Sequence, residues 1–135
     1  MKNIFIVLVL SLILGACSGE IPTSEVKEWK DYTFHIESRP PVVSSGMNEL
    51  LFLGNYKVRG RAHALIVNFR VGPEGKWIQA IQDGHTGVYR RAMMITDPTT
   101  DVLYVLVREK DPEAKGDREI LFTFPMDYSH NTPQS

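Results

Sequence analysis

"RAHALIVNFRV", residues 61–71, is the stretch of the sequence that indicates the fold most clearly. Apolar residues occupy every second position, and the intervening positions include Asn68 and Arg70. A period of two is expected of a β-strand with one buried face. We therefore predict a strand whose core-facing side carries His63, Leu65, Val67, Phe69 and Val71.

Six further segments are rich in the residues that favour strands, and turn residues such as Gly, Pro, Asp and Ser separate them. The segments are "YTFHIES" (32–38), "ELLFLG" (49–54), "KWIQAIQ" (76–82), "VYRRAMMIT" (88–96), "DVLYVLVRE" (101–109) and "EILFTF" (119–124). The sequence contains no convincing helical period. It predicts an all-β protein, a single Ig-like antiparallel β-sandwich of about seven strands.

The N-terminus has the features of a bacterial export signal. Lys2 precedes the apolar run from Ile4 to Leu14, which is too short to span a bilayer but suits the core of a signal peptide. The run leads into "LGAC" at 14–17, which resembles the lipobox of bacterial lipoproteins. The resemblance implies that Cys17, the one cysteine of the chain, is acylated and becomes the first residue of the mature protein.

This interpretation divides the chain into four parts. They are a signal peptide (1–16), a lipidated tether (17–29), the β-sandwich domain (30–126) and a polar tail (127–135). We expect an extracytoplasmic lipoprotein that faces the periplasm and is held to the membrane by the lipid on Cys17. Ser18 favours the outer membrane, because an aspartate at this position would resemble an inner-membrane retention signal. Acidic and basic residues are interspersed and give a net charge of −1, which argues against nucleic-acid binding.

A family resemblance extends over roughly residues 38–125. "PPVVSSGMNELLFLG" is followed by a long strand, a turn, "GVYRRAMMI" and a closing "EILFTF". This order is similar to that of the FixH/YtkA-like family of small extracytoplasmic β-sandwich domains. The resemblance implies an envelope protein of a kind often associated with copper handling or haem-copper oxidase assembly. Some members carry a Met-Pro-x-Met-x-His-like segment, whereas no methionine precedes His85 in the corresponding "FRVGPEGKWIQAIQDGH".

"QDGHTGVYRRAMM", residues 82–94, is open to two interpretations. Imidazole and thioether groups suit copper, so His85, His63, Met47, Met93 and Met126 are candidate metal ligands. Met93 and Met94 point to opposite faces of a strand, and His85 lies about 26 Å from Met93 along an extended chain. The simpler interpretation is that 83–87 form a hairpin loop with His85 at its exposed tip.

The same region suggests a surface for a partner. Trp77 and Tyr89 would face each other across the predicted hairpin, and Arg90 and Arg91 would add charge on opposite faces of their strand. If the two rings are exposed beside His85, these residues form a recognition patch at one end of the sandwich.

Catalytic motifs are absent from the sequence: it has no G-x-S-x-G, no H-E-x-x-H and no phosphate-binding glycine loop. We therefore predict no enzymatic activity and no required cofactor. The favoured function is a non-catalytic accessory module that binds a protein partner in the envelope. The alternative is a periplasmic copper-binding protein related to haem-copper oxidase assembly.

Overall fold

The computed structural model describes residues 20–58 and 60–130. In these residues two antiparallel sheets pack as a β-sandwich, which confirms the predicted all-β class. The strands are β1 (Lys27–Trp29), β2 (Tyr32–Arg39), β3 (Gly46–Tyr56), β4 (Gly60–Arg61), β5 (Leu65–Val71), β6 (Ile78–Gln79), β7 (Ile81–Gln82), β8 (Val88–Ile95), β9 (Val102–Glu109) and β10 (Glu119–Pro125), followed by a 3-10 helix (Met126–His130).

The larger sheet is built around β3. Its order is β1-β2-β3-β8-β7, and the short β4 also pairs with the end of β3. The β2–β3 register runs from Tyr32 opposite Tyr56 to Arg39 opposite Glu49. On its other side β3 pairs with β8 as far as Gly46 opposite Ile95. The central strand is therefore paired along both edges, which fixes which of its side chains face outward.

The smaller sheet has the order β10-β9-β5-β6. Its strand β5 is the segment predicted from "RAHALIVNFRV", and Leu65, Val67 and Phe69 are buried as the alternation predicts. The alternation does not extend to His63, because the strand begins at Leu65 and His63 is exposed in the preceding loop.

The segment "KWIQAIQ" was predicted as one strand, but it forms two. Its residues Ile78 and Gln79 form β6 in the smaller sheet, and Ile81 and Gln82 form β7 in the larger one. Ala80 lies between them, is buried, and donates its N–H to the carbonyl of Val67 at 2.8 Å. The chain passes between the sheets at Ala80. Divided strands of this kind, with the short β1 and β4, raise the predicted seven strands to ten in the described ranges.

Aromatic side chains join the two sheets in the core. Phe34 and Phe52 of the larger sheet stack with ring centroids 4.7 Å apart. Across the interface Phe34 contacts Phe122 at 5.6 Å and Phe52 contacts Phe124 at 6.2 Å. Burial of each such side chain contributes about 1.5–3 kcal/mol. With one cysteine in the chain, which excludes an internal disulfide, this packing is what holds the sheets together.

Packed structure extends beyond both ends of the predicted domain, 30–126. The predicted tether (17–29) overlaps β1, and Ser24 is buried against β2. The backbone N–H of Ser24 donates to the Ile36 carbonyl at 3.0 Å, and its Oγ accepts from the Ile36 N–H at 2.7 Å. The sandwich therefore begins by Ser24, because paired backbone groups tie this segment to β2. The signal peptide (1–16) and Cys17 lie outside the described residues.

The predicted polar tail (127–135) begins as packed structure. Its first residues belong to the 3-10 helix, where Ser129 is buried and its Oγ accepts from the Val43 N–H at 3.0 Å. His130 lies 3.0 Å through Nε2 from the Val43 carbonyl. The sandwich thus continues to His130. Within the described ranges, no helix is both long and apolar enough to cross a membrane.

Candidate functional site

Three exposed apolar side chains lie together on the outer face of the larger sheet. Met47 of β3 is directly opposite Met94 of β8, and they are 57% and 58% exposed. Ile81 of β7, opposite Arg90 of β8, is 55% exposed. We call Met47, Ile81 and Met94 the apolar patch. An outer face that meets only water is expected to be polar, so this patch is unusual for a half-solvated antiparallel sheet.

The patch adjoins a strand edge with unpaired backbone groups. The hydrogen bond from Gly54 N–H to the Gly87 carbonyl shows that odd-numbered residues of β8 bond to β3. Asp83 N–H donates to the Val88 carbonyl, so even-numbered residues bond toward β7. However, β7 begins only at Ile81, because the chain comes from the smaller sheet and enters the larger one at Ala80. The backbone N–H and C=O groups of Ala92 and Met94 consequently point to a side where no described strand pairs with β8. We call this the β8 edge.

A depression of about 630 Å³ includes most of this surface. It is lined by Met47, Glu49, Ile81, Arg90, Arg91 and Ala92. Glu49 Oε1 lies 3.9 Å from Arg90 Nη1 and has no hydrogen bond among the described residues. With two arginines and one carboxylate, the lining is cationic. It suits a ligand that combines apolar groups with a negative charge.

Of the four residues predicted to form a partner surface, two lie at this depression. Arg90 and Arg91 both line the depression. Tyr89, however, is only 1% exposed and cannot contact a partner. Its hydroxyl donates to the Ala62 carbonyl at 2.8 Å, and burial raises its pKa from 10.0 to about 12. Tyr89 is therefore a structural residue that links β8 to the segment before β5.

Trp77 does not face Tyr89, contrary to the prediction. Tyr89 is opposite Gln82, and Trp77 precedes β6 of the smaller sheet. The guanidinium of Arg70 lies 4.5 Å from the Trp77 ring centroid and 4.6 Å from that of Tyr104. Arg70 thus stacks between two rings, an arrangement that occupies one face of Trp77 within the protein. The expectation failed because the chain changes sheets between the two aromatic residues.

The hairpin loop at 83–87 is present as the simpler interpretation predicts. Thr86 N–H donates to the Asp83 carbonyl at 3.2 Å, and its Oγ1 donates to the same oxygen at 2.7 Å. Gly84 and Gly87 have φ angles of 55° and 79°, which side chains disfavour. His85 is exposed between them.

The loop brings His85 against His63. Their ring centroids are 5.1 Å apart and their planes nearly perpendicular, at 87°. A side-chain amide holds the two backbones together, because Gln82 Nε2 donates to the His63 carbonyl at 2.6 Å and to the Gly84 carbonyl at 3.0 Å. Lys110 Nζ in turn donates to Gln82 Oε1 at 2.8 Å. We call His63 and His85 the histidine pair.

The other predicted metal ligands do not join this pair. Met93 and Met126 are buried in the core. Met126 bonds through its N–H to the carbonyl of Asp101, after the far end of β8. Met47 lies opposite Met94, about 20 Å from the start of β8 at Val88 by the rise of an extended strand. In the ranges 20–58 and 60–130, no group of three or more His, Cys, Asp or Glu side chains is arranged to hold a metal ion.

A second depression, of about 560 Å³, lies beside the turn between β1 and β2. Lys30 lines it, has a φ of 53°, and is held by internal contacts. Its Nζ lies 3.0 Å from Glu109 Oε1 and 2.7 Å from the Lys115 carbonyl, and it stacks 4.8 Å from the Trp29 centroid. These contacts join the β1–β2 turn to the loop after β9. The internal contacts of Lys30 thus explain its position in this second depression without a ligand.

Comparison with known proteins finds no matching family model, no similar curated protein and no similar solved structure. The FixH/YtkA-like resemblance and the lipobox remain predictions from the sequence.

The sequence did not point to Ile81, Glu49 or Ala92 as site residues. Each is ordinary in its own segment, and the depression is formed by the register of β3, β7 and β8. Met47 and Met94 face outward because they alternate with Asn48 and Met93, which are buried. The mixed composition of β8 does not show from the sequence which of its faces is buried, so alternation alone could not identify the exposed pair.

Proposed function

We propose that this protein is a lipid-anchored accessory module of the cell envelope that binds a protein partner and has no catalytic activity of its own. The single observation that carries the proposal is the coincidence of the apolar patch with the unpaired β8 edge. Exposed apolar groups beside free backbone donors and acceptors are what a sheet presents to an added strand.

The partner we propose contributes an extended segment. It would pair with the part of β8 that β7 leaves unpaired, because β7 enters the larger sheet only after Ala80. Its backbone would bond to Ala92 and Met94, and its apolar side chains would contact Met47 and Ile81. A carboxylate on the segment would meet Arg90 and Arg91, which make the depression cationic. Backbone bonding provides affinity in this mode, and the side chains provide specificity.

A proline substitution can test the β8 edge without disrupting the fold. The Ala92 N–H points away from β3, so Ala92→Pro removes a donor of the edge without removing a hydrogen bond of the β3–β8 ladder. A matched control exists in β10, the edge strand of the smaller sheet. The bonds from Met126 N–H to the Asp101 carbonyl and from Glu109 N–H to the Arg118 carbonyl place the Thr123 N–H on the open side of β10. Thr123→Pro therefore makes the same change at an unrelated edge.

The test is photo-crosslinking of the full-length chain in its native cells, with a photoreactive residue at Met94. We expect one main protein adduct that is lost in Ala92→Pro and kept in Thr123→Pro. A photoreactive residue at Leu121, exposed on β10, should not give that adduct. An adduct that survives Ala92→Pro, that also forms from Leu121, or that never forms from Met94 would refute the proposal.

A further inference from the structure

We propose that the histidine pair is a binding site for a divalent transition-metal ion, bound tightest as Cu(II). This inference is independent of the proposed partner, because the pair lies in the loops at the other end of β8 from Met94. It rests on the distance between the rings, on the tautomer of His63 and on the contacts that hold the loops. Imidazole nitrogen is a ligand that suits copper, nickel and zinc, and affinity within this series is highest for Cu(II).

The ring separation fits two ligands of one ion. A metal lies about 3.2 Å from the centre of an imidazole that binds it, because the metal–nitrogen bond is about 2.0–2.1 Å and the nitrogen is about 1.1 Å from the centre. Two rings bound at angles between 90° and tetrahedral therefore have centres about 4.5–5.2 Å apart. The observed 5.1 Å lies in this range. The nearly perpendicular planes also keep the two rings from stacking face to face.

One ligand nitrogen is already prepared. His63 Nδ1 lies 3.0 Å from the Arg61 carbonyl, which can only accept a hydrogen bond. In the neutral imidazole this contact favours the proton on Nδ1, which leaves on Nε2 the lone pair that a metal needs. A hydrogen bond from the second ring nitrogen to a carbonyl is the usual way in which proteins orient a metal-binding histidine. In the described ranges the His85 ring has its contact with His63 and no hydrogen bond, so binding an ion there breaks no hydrogen bond of His85.

The surrounding groups support the site and also limit it. Gln82 binds the carbonyls of His63 and of Gly84, which precedes His85, and Lys110 orients the Gln82 amide. Both histidines are exposed, so water can complete the coordination of the ion. Three charged residues adjoin the pair: Arg61 contacts His63 through its carbonyl, the Lys110 ammonium binds Gln82, and Asp83 begins the hairpin loop. Two imidazoles with water ligands make a site for an exchangeable ion.

The test is a Cu(II) titration of the full-length chain in detergent micelles, against a competing chelator. All variants carry Cys17→Ser, which removes the one thiol of the chain. The comparison is between His63→Ala, His85→Ala and the matched control His35→Ala, whose ring is paired with Glu37 on β2. Electron paramagnetic resonance counts the nitrogens bound to copper, and circular dichroism confirms that each variant is folded.

We expect one ion per chain with two coordinated nitrogens. Each single substitution in the pair should weaken binding about tenfold or more, since loss of even an outer-shell partner costs about 10–100-fold. His35→Ala should bind like the parent. Three results would overturn the proposal in favour of a stray surface histidine. They are binding as tight as the parent's in either His63→Ala or His85→Ala, equal weakening in His35→Ala, or a single nitrogen bound to copper.

Discussion

Met47 and Met94 lie directly opposite each other on β3 and β8, and more than half of each side chain is exposed. Because the odd-numbered residues of β8 bond to β3, this pair is of the non-hydrogen-bonded kind, in which side chains approach most closely. Two flexible thioethers thus form one continuous surface beside the β8 edge. Methionine adapts to irregular surfaces and is common where proteins bind partners.

Replacing both exposed methionines by threonine should leave the stability of the fold nearly unchanged. Threonine suits a strand, and cross-strand pairs contribute about 0.2–1 kcal/mol, so Met47→Thr with Met94→Thr should change the free energy of unfolding by less than about 1 kcal/mol. The control is Met93→Thr, which places a hydroxyl in the core and should cost at least about 2 kcal/mol. Urea denaturation measures the free energy of unfolding of the double variant and of the control. Equal destabilisation by the two changes would mean that the exposed pair serves the fold.

Tyr89 should make stability depend on pH in the alkaline range. Burial raises its pKa in the folded protein to about 12 from an ordinary value of 10.0. Folding therefore favours the neutral phenol. This preference stabilises the folded protein in full below pH 10, and the stabilisation is lost as the pH rises toward 12. Tyr89→Phe should flatten this loss in urea midpoints measured from pH 9 to 12. A smaller slope will remain, because burial also raises the pKa of Tyr128.

Tyr89→Phe should also destabilise the protein at pH 7. The change leaves the Ala62 carbonyl without the hydroxyl that donates to it, and an unsatisfied buried acceptor costs about 1–3 kcal/mol. Tyr104→Phe, in a half-exposed position, is the control and should cost less. If Tyr89→Phe leaves both the stability at pH 7 and the alkaline slope unchanged, the hydrogen bond to Ala62 has no energetic role.

Much of the fold could be predicted because its signal is local. In β2 the apolar residues alternate strictly, and in β5 one parity is wholly apolar while the other includes Asn68 and Arg70, so both the strands and their buried faces follow from the sequence. In β8 the inward positions include Arg91 and the outward positions include Ala92 and Met94, so the alternation does not identify a face. The burial of Tyr89 could not be predicted for this reason.

The candidate sites depend on contacts between distant segments. The chain passes between the sheets at Ala80 because β6 pairs in the smaller sheet and β7 in the larger one. No local sequence pattern marks this position. The β8 edge follows from that passage, and the patch follows from the register of β3 against β8. The histidine pair was closer to prediction, since both histidines were candidate residues and the hairpin loop was identified. What the sequence could not supply was that Gln82 binds both loops.

Ser24 should be needed for stability, although it lies in the segment predicted to be a tether. Ser24→Ala removes the oxygen that accepts from the Ile36 N–H and leaves that buried donor unsatisfied. The expected cost is about 1–3 kcal/mol in urea denaturation. Thr23→Ala is the matched control, because Thr23 is exposed. A cost no larger than that of the control would return the start of the domain to the predicted boundary.

Lipid attachment at Cys17 should decide where the protein is found. If the "LGAC" at 14–17 is a lipobox, the full-length chain expressed in bacteria incorporates labelled fatty acid and sediments with membranes. Cys17→Ser should abolish the label and release the folded domain, because acyl chains bind membranes through buried methylene groups. Ser18→Ala is the matched control and should keep the label. Labelling that survives Cys17→Ser, or membrane attachment that does not depend on Cys17, would contradict the lipoprotein interpretation and leave the β-sandwich to reach its partner by another route.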